Sequence, residues 1–205
     1  GPTLLESLEG ETDSRFNDLA ADPGGRVFCG TMANDNHDGK LYRLDPDGSI
    51  RPVIENVGVS NGIGFSPDMT RMYYIDSRSK TVDVFDYDAD TGNLSDRRTI
   101  VDLNDQNLTP DGMTVDVNGD LYVAIWGGHA VKNYNADGEL LQTLDVPQAP
   151  KVTCCCFGGE QLTDLFITTA AMAGQDEIAP DTAGRTLIVP DAGQGKAEFQ
   201  SRIGL

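Results

Sequence analysis

The stretch NGIGFSPDMTRMYYID (61–76) decides the fold together with its counterpart DGMTVDVNGDLYVAIW (111–126). Each begins with a polar residue and a short apolar run, continues through a turn, and ends in residues that favour β-strands. NDLAADPGGRVFCGTM (17–32) and TCCCFGGEQLTDLFIT (153–168) have the same layout. Their starts recur every ~40–50 residues, which is the spacing of a structural repeat.

A second pair of apolar runs follows each of these stretches and is divided by its own turn. Turns such as DPDG, DADTGN and NADG between runs rich in Val, Ile and Tyr predict β-hairpins. Two hairpins per repeat give about four strands, which is the size of a propeller blade. We therefore expect an all-β fold, a β-propeller with about four blades. The second pairs are 40–53, 81–100, 130–146 and 185–200.

The domain organisation follows from the repeat. Residues 15–205 are expected to form a single propeller domain, with blade repeats starting near residues 15, 59, 109 and 152. Residues 1–14 are interpreted as a tag remnant and lead-in, because Gly1-Pro2 is typical of a protease scar.

The charge of the chain is strongly acidic, with 33 acidic residues, 15 basic residues and a net charge of −18. This balance argues against nucleic acid and anionic membranes as partners, since both require a basic face. Acidic residues spread along the whole chain are interpreted either as a sign of a salt-tolerant source or as an ordinary acidic surface. A stability that rises from low to molar salt would favour the first interpretation, and a flat response the second.

The four cysteines lie at positions 29, 154, 155 and 156. Three consecutive cysteines do not form a spaced disulfide framework, and the chain has no CxxC motif. We expect free, mostly buried thiols in a reducing compartment, and hence a cytoplasmic protein.

Three polar residues occupy the head of successive repeats: Asn17, Asn61 and Asp111. Equivalent positions in a propeller are related by rotation about one axis, so these side chains are expected to converge on the central channel. Two amides and a carboxylate suit a hard cation such as Ca²⁺ or Mg²⁺. Asn-Gly and Asp-Gly are also common turn formers, so the residues alone leave a turn role equally open.

Nine short blocks, in order from about Arg15 to near residue 190, resemble one protein family. They include RFND (15–18), SNGIGFSPD (60–68), PDGMTVD (110–116) and LYVAIWGG (121–128). On these blocks the chain is identified as a member of the senescence marker protein (regucalcin), gluconolactonase and luciferin-regenerating enzyme family.

The resemblance implies a six-bladed propeller that hydrolyses sugar lactones with one divalent cation on its axis. Ca²⁺ is expected, with Zn²⁺, Mn²⁺ or Mg²⁺ as alternatives. By motif match, Asn61 and Asp111 would ligate the cation, and Asp111 would also be the catalytic acid or base. Arg15 and Asn17 would bind the oxygens of a small-molecule lactone, with Asn17 close to the cation.

One feature of the family is missing from this sequence. The family's further acidic ligand is a Glu in its first blade, and no segment before Arg15 matches that motif. Two blades also have no counterpart here. A second interpretation therefore stays open, in which a shortened, weakly active or inactive propeller binds a metal or ligand, or forms a homo-oligomer through exposed blade edges.

Overall fold

The computed structural model describes residues 4, 6–8, 11, 13–35, 37–171 and 182–204. Within these residues the chain forms β-strands and no helices, so none of them belongs to a helix that could cross a membrane. The strands are arranged in four antiparallel sheets, each with its strands in chain order. The all-β propeller predicted from the repeat is confirmed, with four blades in the described part of the chain.

The first three blades have four strands each, and the fourth has three within the described residues. The predicted second pair at 185–200 contains one strand, because the residues after Val189 leave the sheet. The strands are β1 (Phe16–Ala21), β2 (Val27–Thr31), β3 (Gly39–Leu44), β4 (Ile50–Val57), β5 (Ser60–Phe65), β6 (Arg71–Asp76), β7 (Thr81–Asp88), β8 (Asn93–Asp102), β9 (Thr109–Val115), β10 (Leu121–Trp126), β11 (Ala130–Tyr134), β12 (Leu140–Asp145), β13 (Val152–Gly158), β14 (Asp164–Thr169) and β15 (Thr186–Val189).

The hairpins form where the turn motifs predict them. In DPDG and NADG the glycines, Gly48 and Gly138, have φ values of 87° and 92°, which L-residues rarely adopt. In the first three blades, the turn after the innermost strand is closed by a side chain five residues beyond the head of the repeat. Asp22 accepts a hydrogen bond from the Arg26 amide at 2.8 Å, and Asp116 accepts one from the Asp120 amide at 2.9 Å.

The hydrophobic core lies between neighbouring blades. Alternate side chains of each sheet face the sheet before it and the sheet after it, so three apolar layers hold four blades together. Phe28 and Tyr74 belong to the layer between blades 1 and 2, Tyr73 and Leu121 to the next, and Leu165 to the last; all five are fully buried.

The innermost strands β1, β5, β9 and β13 pack against one another in sequence. Glycine makes this close approach possible. A Cβ atom at Gly62 would lie 2.9 Å from the carbonyl oxygen of Asp111, and one at Gly112 would lie 2.5 Å from Sγ of Cys154. These strands therefore meet through backbone and small side chains around the axis.

The segment 193–204 has no regular secondary structure and crosses from blade 4 to blade 1. The Val117 amide donates to the carbonyl oxygen of Gln194 at 3.0 Å, and the Phe199 ring lies 6.2 Å from the Phe65 ring. The Arg202 amide then donates to the carbonyl oxygen of Gly25 at 2.8 Å. The segment thus contacts the three other blades in turn and links both ends of the array.

Gly62→Ala tests the packing of the inner strands. The new methyl group would press on backbone of the neighbouring blade, so we expect the free energy of unfolding in urea to fall by about 1–3 kcal/mol. Gly204→Ala is the matched control, since its nearest neighbouring atom would be 3.5 Å away. Equal stability of the two variants would show that the inner strands do not require this glycine.

Candidate functional site

Each innermost strand has an irregularity of register at its head. The shifts lie between Phe16 and Asp18 in β1, between Asn61 and Ile63 in β5, between Pro110 and Met113 in β9, and between Val152 and Cys154 in β13. A β-bulge bends the strand and redirects a side chain. The four bulges coincide with the head positions of the four sequence repeats.

Asn61 and Asp111 are strand residues, not turn residues. Asn61 lies in β5 and Asp111 in β9, and the glycine after each makes room for the next blade. This excludes the turn role that the Asn-Gly and Asp-Gly pairs left open.

Asn17, Asn61 and Asp111 line one cavity at the head of the inner strands, with a volume of about 430 Å³. Three blades therefore each place one predicted residue there. Trp126 forms part of the wall, and the Lys151 ammonium group lies 5.4 Å from the centre of its ring. The other lining residues are Met32, Val59, Ser77, Arg78 and Thr109.

A chain of hydrogen bonds connects the predicted residues across blades 1 and 2. Nη1 of the exposed Arg15 donates to Oδ1 of Asn17 at 2.7 Å. Nδ2 of Asn17 donates to the carbonyl oxygen of Ser60 at 2.8 Å and to Oδ1 of Asn61 at 3.1 Å. Asn61 is only 8% exposed, so its amide orientation is set by these partners. Arg15 thus lies beside the cavity, while the two amides lie in it.

Asp111 is the carboxylate of the site. Its pKa is raised to about 7, mainly by burial and in addition by the negative charge of Asp18, while the hydrogen bond from the backbone N–H of Gly112 partly opposes both effects. Burial also raises the pKa of Asp18. Among the described residues, Asp111 is therefore the one carboxylate in the lining of the cavity, and the charge of Asp18 acts on it from outside that lining.

This environment fits a hard divalent cation. A cation would relieve the unfavourable charge on Asp111, and oxygen atoms of Asp111 and Asn61 are suitable ligands for Ca²⁺ or Mg²⁺. In the part of the chain that the structure describes, no group of three or more His, Cys, Asp or Glu side chains is arranged to hold a metal ion. The donor set is therefore mixed, with amides beside a single carboxylate.

Two residues were not singled out by the sequence: Ser77, which lines the cavity, and Asp18, whose charge acts on Asp111 from outside the lining. Asp18 follows Asn17 within the RFND block, and Ser77 closes the YYIDS block (73–77). The comparison of the repeats covers only their head positions, and neither residue occupies one.

The sequence model of the family described as SMP-30/gluconolactonase/LRE-like region matches residues 2–171 of this chain. A pentonolactonase from Haloferax volcanii is 42% identical over 201 residues, which cover 95% of this chain and 69% of that protein. The chain belongs to the SMP-30/gluconolactonase/LRE-like family.

Other members of the family are longer than this chain. Rabbit regucalcin is 40% identical over 88% of the chain, and human regucalcin is 42% identical over 77%. These matches cover only 60% and 55% of the two regucalcins. The chain therefore spans little more than half the length of these relatives.

Solved structures show the same architecture. A luciferin-regenerating enzyme superposes with a TM-score of 0.87 and 32% identity over 97% of this chain and 69% of its own. A calcium-binding regucalcin from Agrobacterium tumefaciens superposes with a TM-score of 0.89 and 27% identity over 99% of this chain and 70% of its own. The four blades are thus arranged as in part of a longer propeller.

Asp111→Asn tests the electrostatics of the cavity in metal-free protein. Because the pKa of Asp111 is raised in the folded state, its favourable contribution is full at low pH and is lost as pH rises through about 7. Between pH 5 and pH 8.5 the wild type should lose roughly 2–3 kcal/mol of unfolding free energy relative to the variant.

Urea unfolding in the presence of chelator measures this difference. Asp47→Asn is the control, since hydrogen bonds from Ser49 lower the pKa of this exposed residue and keep it ionised throughout that range. A difference between wild type and Asp111→Asn that does not change with pH would contradict the assignment of a raised pKa.

Proposed function

We propose that this chain hydrolyses sugar lactones, with a divalent cation bound at the head of the inner strands. The observation that carries the proposal is the convergence of Asn17, Asn61 and Asp111, from three blades, in one cavity. Its similarity to a pentonolactonase and to a gluconolactonase supports the substrate class.

Asn61 and Asp111 would hold the cation, with Asn17 beside them. A bound divalent cation polarises the carbonyl group of an ester and assists the ionisation of water. Ca²⁺ is the ion we propose first, because the donors are oxygen atoms and one structural relative is described as a calcium-binding protein. Mg²⁺, Mn²⁺ and Zn²⁺ are alternatives.

The side chains of this chain would bind the lactone and move a proton. Arg15 lies beside the cavity and can donate hydrogen bonds to hydroxyl or carbonyl oxygens of a sugar lactone. A bound cation would lower the pKa that burial raises in the metal-free site, so Asp111 would be ionised at neutral pH and can accept the proton of the attacking water. The ring C–O bond then breaks, and the proton passes to the departing alkoxide to give the open hydroxy acid.

The compartment we propose is cytoplasmic. All four cysteines are free thiols, with Cys29 and Cys155 buried, Cys154 half-buried and Cys156 exposed. An exposed thiol beside two others is compatible with a reducing environment. The expectation that the thiols are mostly buried holds for Cys29 and Cys155.

A homo-oligomeric module is the second candidate. Within the described residues, β15 pairs with β14 and has no partner along its other edge, where Ile188 is 50% exposed. Such an edge can pair with a second chain. Sedimentation would show a dimer that Ile188→Lys dissociates, whereas a monomer at all concentrations would exclude this candidate.

Hydrolysis of glucono-δ-lactone with added Ca²⁺, Mn²⁺ or Zn²⁺ tests the proposed activity. Asp111→Ala should lower kcat/KM by about 10²-fold or more, because it removes the proton acceptor and a cation ligand. Asp47→Ala, which changes an exposed turn carboxylate, should leave it unchanged. Turnover that persists in chelator or in Asp111→Ala would refute the mechanism, and cation binding without turnover would favour a binding module.

A further inference from the structure

Ser77 directly follows β6, is 8% exposed and contacts two other strands. Its Oγ atom accepts a hydrogen bond from Nδ2 of Asn61 at 2.7 Å. The same hydroxyl group donates to the carbonyl oxygen of Pro110 at 2.6 Å. One side chain of blade 2 therefore contacts Asn61 and also the residue that precedes Asp111 in blade 3.

These two bonds fix the direction of the Asn61 amide. A carbonyl oxygen only accepts hydrogen bonds, so the single hydrogen of the Ser77 hydroxyl is committed to Pro110. Oγ must then accept from Asn61, which turns the NH₂ group of Asn61 toward Ser77. The opposite atom, Oδ1, faces Asn17 and the cavity.

The partner on the other side enforces the same direction. Nδ2 of Asn17 donates to the carbonyl oxygen of Ser60, so Asn17 presents its NH₂ group to Asn61. Only an oxygen atom of Asn61 can accept from it at 3.1 Å. The network thus runs in one direction, from Arg15 through Asn17, Asn61 and Ser77 to Pro110.

We propose that Ser77 is a positioning residue that keeps Oδ1 of Asn61 directed into the cavity, where a cation would bind it. The presence of a cation in this inference rests on the proposed function. The orientation of the amide rests on the hydrogen bonds alone. Without the Ser77 hydroxyl, only the 3.1 Å hydrogen bond from Asn17 opposes a half-turn of the Asn61 amide, so the flipped orientation becomes accessible. Its NH₂ group would then face the cavity, where it repels a cation and cannot ligate it.

A double-mutant cycle with Asn61→Asp separates positioning from general structural support. A carboxylate presents an oxygen atom in either orientation, so it does not need Ser77 to choose one. In calorimetric titrations with Ca²⁺, Ser77→Ala should weaken binding by about 10-fold or more in the wild-type background. In the Asn61→Asp background the same change should alter the affinity by less than about 2-fold.

Ser79→Ala is the matched control, since Ser79 lies on the same turn and donates to the carbonyl oxygen of Asp76, outside the network. Its Ca²⁺ affinity should equal that of the wild type. Equal losses for Ser77→Ala in both backgrounds would show a merely structural role, and no loss in either would also overturn the proposal.

A second readout needs no cation. The Asn61 side-chain NH₂ signals can be assigned in ¹H–¹⁵N spectra by their disappearance in Asn61→Asp. In metal-free Ser77→Ala, these protons should exchange with water about tenfold faster than in the wild type. In Ser79→Ala their exchange rate should equal that of the wild type. Unchanged exchange in Ser77→Ala would refute the role of Ser77. Faster exchange in Ser77→Ala, together with a wild-type protein that binds no cation, would refute only the proposed function.

Discussion

The close approach of the innermost strands is the constraint on which the rest of the structure depends. At Gly62 and Gly112 a single added carbon atom would collide with the neighbouring blade. Because successive inner strands pack backbone against backbone, their bulged heads lie at a common depth around the axis. Asn17, Asn61 and Asp111 are brought into one cavity for this reason, although 44 positions separate the first two and 50 the last two.

The same crowding sets the chemistry of the cavity. Limited access of water and the neighbouring Asp18 make the charge on Asp111 unfavourable, while the amide network leaves an oxygen atom of Asn61 pointing inward. Neutral amides alone would bind a cation weakly. A second carboxylate in the lining of the cavity would raise the pKa of Asp111 above its present value. Mixed donors in a confined space suit a hard cation at neutral pH.

Most of the fold could be predicted because each blade is built from local hairpins, and short sequence motifs identify their turns. The DPDG and NADG turns, for example, formed as expected. The path of residues 193–204 could not be predicted, since contacts such as Phe199 with Phe65 join distant parts of the chain without a local pattern. At the site, Asn61 and Asp111 were predicted from their repeat positions. Ser77 and Asp18 were missed because their roles depend on hydrogen bonds and charges between blades.

The central claim is that a divalent cation binds at the head of the inner strands. Paramagnetic broadening by Mn²⁺ locates the ion directly in ¹H–¹⁵N spectra of side-chain amides. The account predicts that the signals of Asn17 and Asn61 broaden first, while those of Asn133, which donates to the carbonyl oxygen of Leu121 within blade 3, remain sharp. Broadening confined to amides in surface turns such as 88–93, with Asn17 and Asn61 unaffected, would contradict it.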